Sequence, residues 1–422
     1  MTLEVTDGVS GVPAGLSMRV LEPEGWDAFY DALERAFGGG AESAEEREVW
    51  RSVSNCDRFI GVYDGNDVVG TAGVFSFRLT VPGGESVRAG GVTMVSVQPT
   101  HRRRGVLRSM MRRQLDDIRA AGEPLAMLTA SEPPIYGRFG YGNASDQLSA
   151  TIDTGRVRLA LPEGTDRVRL RIAEPVEVRG ECERIYAARV PSRPGMLARQ
   201  PGWEAVPILD PPSGREGASP LLCVTAELDG KLSGYARYSV KSRWDSAGPN
   251  GSVVLRDLEA LDPVSGAALW DFLFGIDLTS TLVVRNRPSD DPLLHLVSDI
   301  RRCRVAIRDS CYIRLVDVGR ALAARTYTAP VDVVLDVADS FCPWNEGRWR
   351  LSGDAKGAAC EPSKEPADLA LSVRELASVY LGGVPLTALA GAGRVRELRQ
   401  GALAEASAAF RGLAEPWLPH GF

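Results

Sequence analysis

The sequence predicts an α+β protein built as three consecutive modules, and three observations carry this reading. A strand, a basic turn, an amphipathic helix and a buried strand follow one another over residues 91–129. The same succession returns more faintly between 151 and 303, and from 304 onward short strands give way to helices. A chain of 422 residues suits two or three domains of ordinary size. The modules expected are therefore 1–150, 151–303 and 304–422.

The first module opens with a strand over 16–21, a helix over 26–37, a break at Gly38, Gly39 and Gly40, and a second helix over 42–53. Residues 59–63 and 68–77 flank the turn Gly65-Asn66-Asp67 and read as a hairpin. Pro82-Gly83-Gly84 marks the next turn, and a strand runs over 91–97. Leu107, Met110, Met111, Leu115 and Ile118 recur at helical spacing, Gly122 closes that helix, and 125–129 is a short strand of the buried kind. Together these form a β-α-β unit. The second module has strands over 168–172, 221–227, 234–240, 253–260 and 280–284, helices over 177–188 and 265–275, and a Pro/Gly-rich loop over 206–218. The third has strands over 312–316, 331–337, 348–352 and 369–372, with helices over 373–381, 386–390 and 402–410.

A net charge of -6 argues against a general nucleic-acid binder, which needs surplus Lys and Arg to displace counterions. The seven cysteines are scattered and contain no C-x-x-C pair, which excludes a zinc ribbon and suits a reducing compartment. The first residues lack the basic and apolar regions of a signal peptide, and no run approaches the roughly 18 apolar residues of a membrane span. A cytoplasmic protein, away from membranes, is expected. Only His101, His295 and His420 are present, which leaves little for a histidine metal site or a Ser-His-Asp triad, and no metal is expected.

The chemistry concentrates at the turn Pro99-Thr100-His101-Arg102-Arg103-Arg104-Gly105. A strand-to-helix turn presents unpaired backbone N–H groups at a helix N-terminus, where the helix dipole also favours an anion. Arg102, Arg103, Arg104 and Arg108 surround it, Arg112 and Arg113 follow one turn on, and Gly105 admits close approach of a ligand. In an acidic chain this fits a ligand carrying a pyrophosphate and a further phosphate. A solvated basic helix face is the competing explanation. Before the turn, Val95-Ser96-Val97 forms a strand whose edge can pair with an extended amide-bearing arm.

Arg102-x-x-Gly105-x-Leu107 is similar to the acyl-CoA signature of GNAT acetyltransferases, with Leu in place of the last small residue. The string from Val95 to Arg108, taken with Ser131-Glu132-Pro133-Pro134-Ile135-Tyr136-Gly137-Arg138-Phe139-Gly140-Tyr141-Gly142, resembles the enhanced intracellular survival (Eis) acetyltransferases. The likeness extends more weakly through Asp291-Pro292-Leu293-Leu294-His295-Leu296 and into a C-terminal part similar to sterol carrier proteins. The resemblance implies a catalytic GNAT domain, a degenerate GNAT domain whose turn at 262–266 has no Arg, and a sterol-carrier-like α+β domain. It implies acetyl-CoA as co-substrate, held by Val95, Ser96 and Val97 along the pantetheine arm. Arg103, Arg104, Gly105, Val106, Leu107 and Arg108 would hold the pyrophosphate, with Ser131 and Glu132 in the channel. A homo-oligomer, a hexamer in the family, is implied too.

The resemblance also implies Tyr136 as general acid for the departing thiolate; a phenol of pKa near ~10 suits that task. The implied general base is the α-carboxylate of the last residue, Phe422, with Trp417-Leu418-Pro419 packing the tail down. A free carboxylate of pKa ~3.5 is a weak base, so the role requires burial or a water relay. A frayed terminus is the competing reading of Phe422. His295 reads as structural, and His420 as adjacent to the site without a direct part.

Phe37, Trp50 and Met94 fall where the family lines its acceptor pocket. Three positions depart from the pattern: glycines at 38–40 stand where an acidic residue is expected, Met94 replaces an aromatic, and Gly421 replaces an acidic residue. Each loss weakens attraction for a polycation such as an aminoglycoside. A primary amine of a small molecule is the acceptor expected. Rival readings are a protein-lysine acetyltransferase and a lipid- or acyl-CoA-binding protein without turnover.

Overall fold

The computed structural model describes residues 11–38 and 42–422. Gly38 ends the first helix in a left-handed conformation (φ 67°), while Gly39 and Gly40 lie outside the described residues. The first part runs β1 (Ser17–Val20), α1 (Trp26–Phe37), α2 (Ala44–Val53), β2 (Phe59–Asp64), β3 (Asp67–Thr80), β4 (Ser86–Val97), α3 (Val106–Ala120), β5 (Leu125–Thr129), α4 (Pro133–Tyr136) and β6 (Gly142–Asp153). The second runs β7 (Arg169–Ala173), α5 (Arg179–Arg189), β8 (Leu197–Ala198), β9 (Leu222–Leu228), β10 (Lys231–Lys241), β11 (Trp244–Asp245), β12 (Gly248–Pro249), β13 (Gly251–Ala260), α6 (Pro263–Phe274), β14 (Thr279–Arg287) and α7 (Leu293–Leu296). Then come β15 (Ala306–Leu315), α8 (Val318–Ala323), β16 (Val331–Ala338), β17 (Gly347–Asp354), β18 (Gly357–Pro362), β19 (Leu369–Ser372), α9 (Val373–Val379), α10 (Leu386–Gly391), β20 (Val395–Glu397) and α11 (Ala402–Phe410). Among the described residues no helix is long and apolar enough to cross a membrane.

One continuous sheet joins the first two parts in the order β1-β2-β3-β4-β5-β15-β6-β14-β13-β10-β9-β7, with β8 paired to β3. The expected boundary at 303 therefore leaves β15 on the wrong side. Its residues pair with β5 on one edge and β6 on the other, completing the sheet shared by the first two parts. The third unit is a separate five-stranded sheet, β18-β17-β16-β19-β20, beginning in sequence at α8. It is bolted on through Arg314 of β15, fully buried and paired at 2.6 Å with Asp339 in the loop after β16. Removing one partner of such a buried pair costs about 3–5 kcal/mol.

Two β-α-β units repeat within the large sheet. β4 and β5 are parallel and joined by α3; β13 and β14 are parallel and joined by α6. The helical spacing read for α3 places Met110, Met111, Leu115 and Ile118 wholly inside, each contributing about 1.5–3 kcal/mol. Its first turn closes on β3 because Gly70 has no side chain: a Cβ there would stand 3.0 Å from Cγ1 of Val106.

Candidate active site

The site is built by a strand that bends away from its neighbour. β4 faces β3 as Gly73↔Thr93 and then Thr71↔Ser96, so Met94 and Val95 together oppose Ala72. Met94 takes a left-handed backbone (φ 50°), and its carbonyl accepts a 2.8 Å hydrogen bond from the Thr71 hydroxyl. Such a bulge bends its strand. On the other edge, β4 pairs with β5 only at Ala89↔Leu125, Gly90↔Ala126 and Gly91↔Met127. Beyond Gly91 the two strands part, and the β4 edge from Val92 to Val97 has no β5 partner. Backbone groups left this way need another partner, which an extended amide chain can supply.

At the mouth of this gap stands the N-terminus of α3. Its N-cap is Gly105, left-handed at φ 94°, and no side chain caps the helix. Arg102, Arg103, Arg104 and Arg108 are exposed around it, and Arg103 is also left-handed (φ 62°), a strained state for a residue with a side chain. Val106 is buried beneath the turn and Leu107 half-buried, so both serve the helix packing, and the backbone N–H groups are what they offer a ligand. Ser96 spends its hydroxyl on Thr71, 2.7 Å away, leaving its main chain for the gap. Val95 and Val97 turn their side chains towards α3.

Arg112 and Arg113 do not join the anion site. Arg113 pairs with Asp117 on its own helix. Arg112 lies over the Phe341 ring at 4.0 Å and donates to the Phe341 carbonyl, in the loop after β16. That loop also places Phe341 5.4 Å from the Arg108 guanidinium and Trp344 4.4 Å from that of Arg119. The third unit thus braces the basic helix.

The second β-α-β unit has lost both features. Asp262 caps α6 by accepting from Ser265 N at 2.8 Å, which uses up an N–H a phosphate would need. Between β13 and β14 the pairing ends at Val254↔Val283, and there the buried Arg287 fills the space, donating to Leu258 O at 2.6 Å and pairing with Asp291 at 2.7 Å.

Tyr136, at the end of α4, is buried with Val92, Met111 and Leu115 on the α3 face of the sheet. Burial, and secondly the charge of Glu132, hold its hydroxyl above the usual phenol range. Ser131 and Glu132 are exposed just beyond β5. Phe422 meets the sheet from the opposite face, its ring centroid 4.9 Å from that of Phe77 and 6.5 Å from that of Phe75. The terminus is anchored rather than frayed. Trp417 and Leu418 are buried. Asn286 Nδ2 donates to Leu418 O (3.2 Å) and Pro419 O (2.9 Å), and Trp417 N donates to Pro194 O (2.9 Å).

Beside Phe422 opens a cavity of about 480 Å³. Trp50 and Thr129 form part of its first-domain wall; Arg199, Tyr235, Asp257 and Glu259 are among the groups contributed by the second. Trp50 is carried by α2, whose capping box exchanges Ser43 and Glu46 bonds, and packs tilted against Phe75 and edge-on to Trp203. Met94 packs against the same aromatic cluster. Phe37 does not reach the cavity: it is exposed at the end of α1, whose Ala36 carbonyl lies beside Arg102. Tyr136 does not line the cavity either. Sequence reasoning missed the second-domain wall. Its signal was charge at alternate positions, 257 and 259, inside a strand that is interior to the sheet.

A parted parallel strand pair with a basic, uncapped helix N-terminus at its mouth defines a GNAT-type acyltransferase. Family models for an acetyltransferase (GNAT) domain match residues 17–144 and 195–315, and one for a sterol carrier protein domain matches 318–419. An uncharacterised N-acetyltransferase of Streptomyces avermitilis is 65% identical over 405 residues, covering 96% of this chain and 99% of the relative. The N-acetyltransferase Eis of Mycobacterium tuberculosis is 35% identical over 381 residues, 87% of this chain and 90% of the relative. The crystal structure of Eis1 from Mycobacterium abscessus superposes with a TM-score of 0.81 at 32% identity, covering 96% of this chain and 100% of that one. The chain belongs to the Eis family of GNAT N-acetyltransferases.

Proposed function

We infer that this acetyltransferase moves the acetyl group of acetyl-CoA to a primary amine of a small molecule, with the reaction divided between the two faces of the sheet. The observation that carries this reading is the placement of Gly91 and Val92. Successive strand residues point to opposite faces, and at the position where β4 and β5 part, Gly91 faces Phe422 while Val92 packs with Tyr136. The Tyr136 side chain and the ring of the residue that bears the terminal carboxylate therefore flank one opening from its two sides.

The N–H groups at the start of α3, with Arg103, Arg104 and Arg108, hold the pyrophosphate of the co-substrate, and the free edge at Val95 and Val97 pairs with the pantetheine amides. Phe37 is left out of this arrangement, and Trp50 and Met94 stay with the acceptor side. The bound thioester supplies the activated acetyl carbon. As the amine nitrogen bonds to that carbon and the C–S bond breaks, the Phe422 carboxylate takes the amine proton and Tyr136 gives its hydroxyl proton to the thiolate. Water then returns a proton from the carboxyl group to the phenolate. Burial keeps Tyr136 protonated, and so ready to donate, across the working range.

Three features favour turnover over lipid carriage. The phosphate turn is intact, the C-terminus is pinned at the gap, and the interior of the sterol-carrier-like unit holds Arg325, buried against the Tyr327 ring at 4.6 Å. The family resemblance further supports a homo-oligomer, and the scattered cysteines suit a reducing, cytoplasmic compartment. Thiol release from acetyl-CoA, measured against aminoglycosides, polyamines, lysine peptides and arylalkylamines, tests the reading. Release with at least one amine is expected, and release with none would refute it.

A further inference from the structure

The cavity beside Phe422 carries charge of both signs, because of a fault in one strand. β13 pairs with β10 as Arg237↔Asp257 and Tyr238↔Leu255, so Arg256 is an extra residue with no partner across the ladder. Neighbours in a regular strand point to opposite faces. Across this bulge Arg256 and Asp257, consecutive in sequence, line the same cavity, with Glu259 two residues on.

The three groups differ in how they are held. Arg237 backs Asp257 at 3.2 Å, and Arg189 backs Glu259 at 3.5 Å. Arg256 is 45% exposed and loosely engaged, 3.3 Å from Leu209 O and 3.7 Å from Asp210. Asp210 gives its Oδ2 to Arg215 at 2.7 Å and to Leu221 N at 2.9 Å, and its Oδ1 meets Arg256 only at that longer distance. The Arg256 guanidinium therefore keeps donors to spare at the rim, with the two carboxylates further in. The same wall holds buried polar atoms without a hydrogen-bond partner: the Tyr235 hydroxyl, Arg199 Nε and His420 Nε2. Tyr235 is fully buried, and the Arg199 side chain is 7% exposed. Polar atoms are costly to leave unpaired in an interior, and their concentration around one cavity points to a polar ligand.

We propose that the acceptor is an amine that also bears a carboxylate: Asp257 and Glu259 draw the ammonium group towards the Phe422 carboxylate, and Arg256 binds the acid group. This rests on the acetyl-transfer reading above and names its substrate class. A polycation fits poorly, because a guanidinium stands behind each of these two carboxylates and Arg256 faces them from the rim.

The test compares kcat/KM for ω-amino carboxylates of increasing chain length with kcat/KM for their primary amides, in the full-length protein and in Arg256→Gln and Arg256→Glu. The wild type should favour the best carboxylate over its amide by roughly tenfold, the yield of one charge-assisted contact. The ratio should fall to about one in Arg256→Gln and invert in Arg256→Glu. A wild-type ratio near one with active thiol release would overturn this inference and leave acetyl transfer standing. A ratio that persists in both variants would overturn the role of Arg256. No release with any amine would overturn the proposed function itself.

Discussion

A Cβ placed on Gly91 would stand 3.1 Å from Cε2 of the terminal Phe422, and closer still, 2.4 Å, to Cε2 of Phe77. Phe422 thus rests, with Phe77, on a bare stretch of the strand that opens the gap between β4 and β5. Gly91→Ala should destabilise the protein by about 1–3 kcal/mol through overpacking and lower kcat by displacing the Phe422 ring. Adding Phe77→Leu should return both part of the melting temperature and part of the turnover. Lost kcat with no recovery in the double variant would mean that Gly91 serves something other than the seating of these two rings.

The proposed anion site depends on backbone groups plus exposed guanidinium groups, so it should be sensitive to salt. Arg103→Gln should raise KM for acetyl-CoA by about tenfold in low salt and by less in high salt, with kcat nearly held. Steady-state kinetics at two ionic strengths checks this. A fall in kcat at constant KM would place Arg103 elsewhere in the mechanism.

The brace from the third unit gives a second route to the same site. Phe341→Ala removes the ring over Arg112 and Arg108 and should raise KM for acetyl-CoA a few-fold, in line with cation–π contributions of ~0.5–2 kcal/mol. Isothermal titration with CoA reads the effect directly. Unchanged CoA affinity would make the brace purely a matter of domain docking.

His420 offers a pH test. Burial, and secondly Arg199, push its pKa down to about 3 from an ordinary 6.5. The folded protein keeps it neutral where the unfolded chain would protonate it. Stability must therefore fall as pH drops from about 6.5 towards 3. His420→Asn should show a shallower loss of melting temperature over that window, and identical slopes in the two proteins would exclude His420 as a contributor.

How much of this was legible in the sequence depends on how local each feature is. The β4-α3-β5 unit and its turn could be read because the helical spacing from Leu107 to Ile118 and the basic run at 102–104 are contained within a few turns of chain. β6 was missed: Gly142–Asp153 is rich in small and polar residues, and only its burial between β15 and β14 makes it a strand. β15 falls on the wrong side of the expected boundary because its partners, β5 and β6, lie more than 150 residues away. Arg112 and Arg113 look like their neighbours in sequence; only the approach of the loop at 339–345 separates them from the anion site. The proposed acceptor wall is the least legible part, since it exists only where the second domain faces the first.

In the proposed mechanism the Phe422 carboxylate acts at the gap between β4 and β5. Extending the protein by one alanine beyond Phe422 moves that carboxylate while keeping the aromatic ring and the anchors at Asn286 and Pro194. The most direct measurement is turnover of this extended protein beside its affinity for acetyl-CoA. A loss of kcat of about a hundredfold or more, in the range of a missing general base, with affinity nearly unchanged is the result predicted. Turnover equal to that of the natural chain would contradict it.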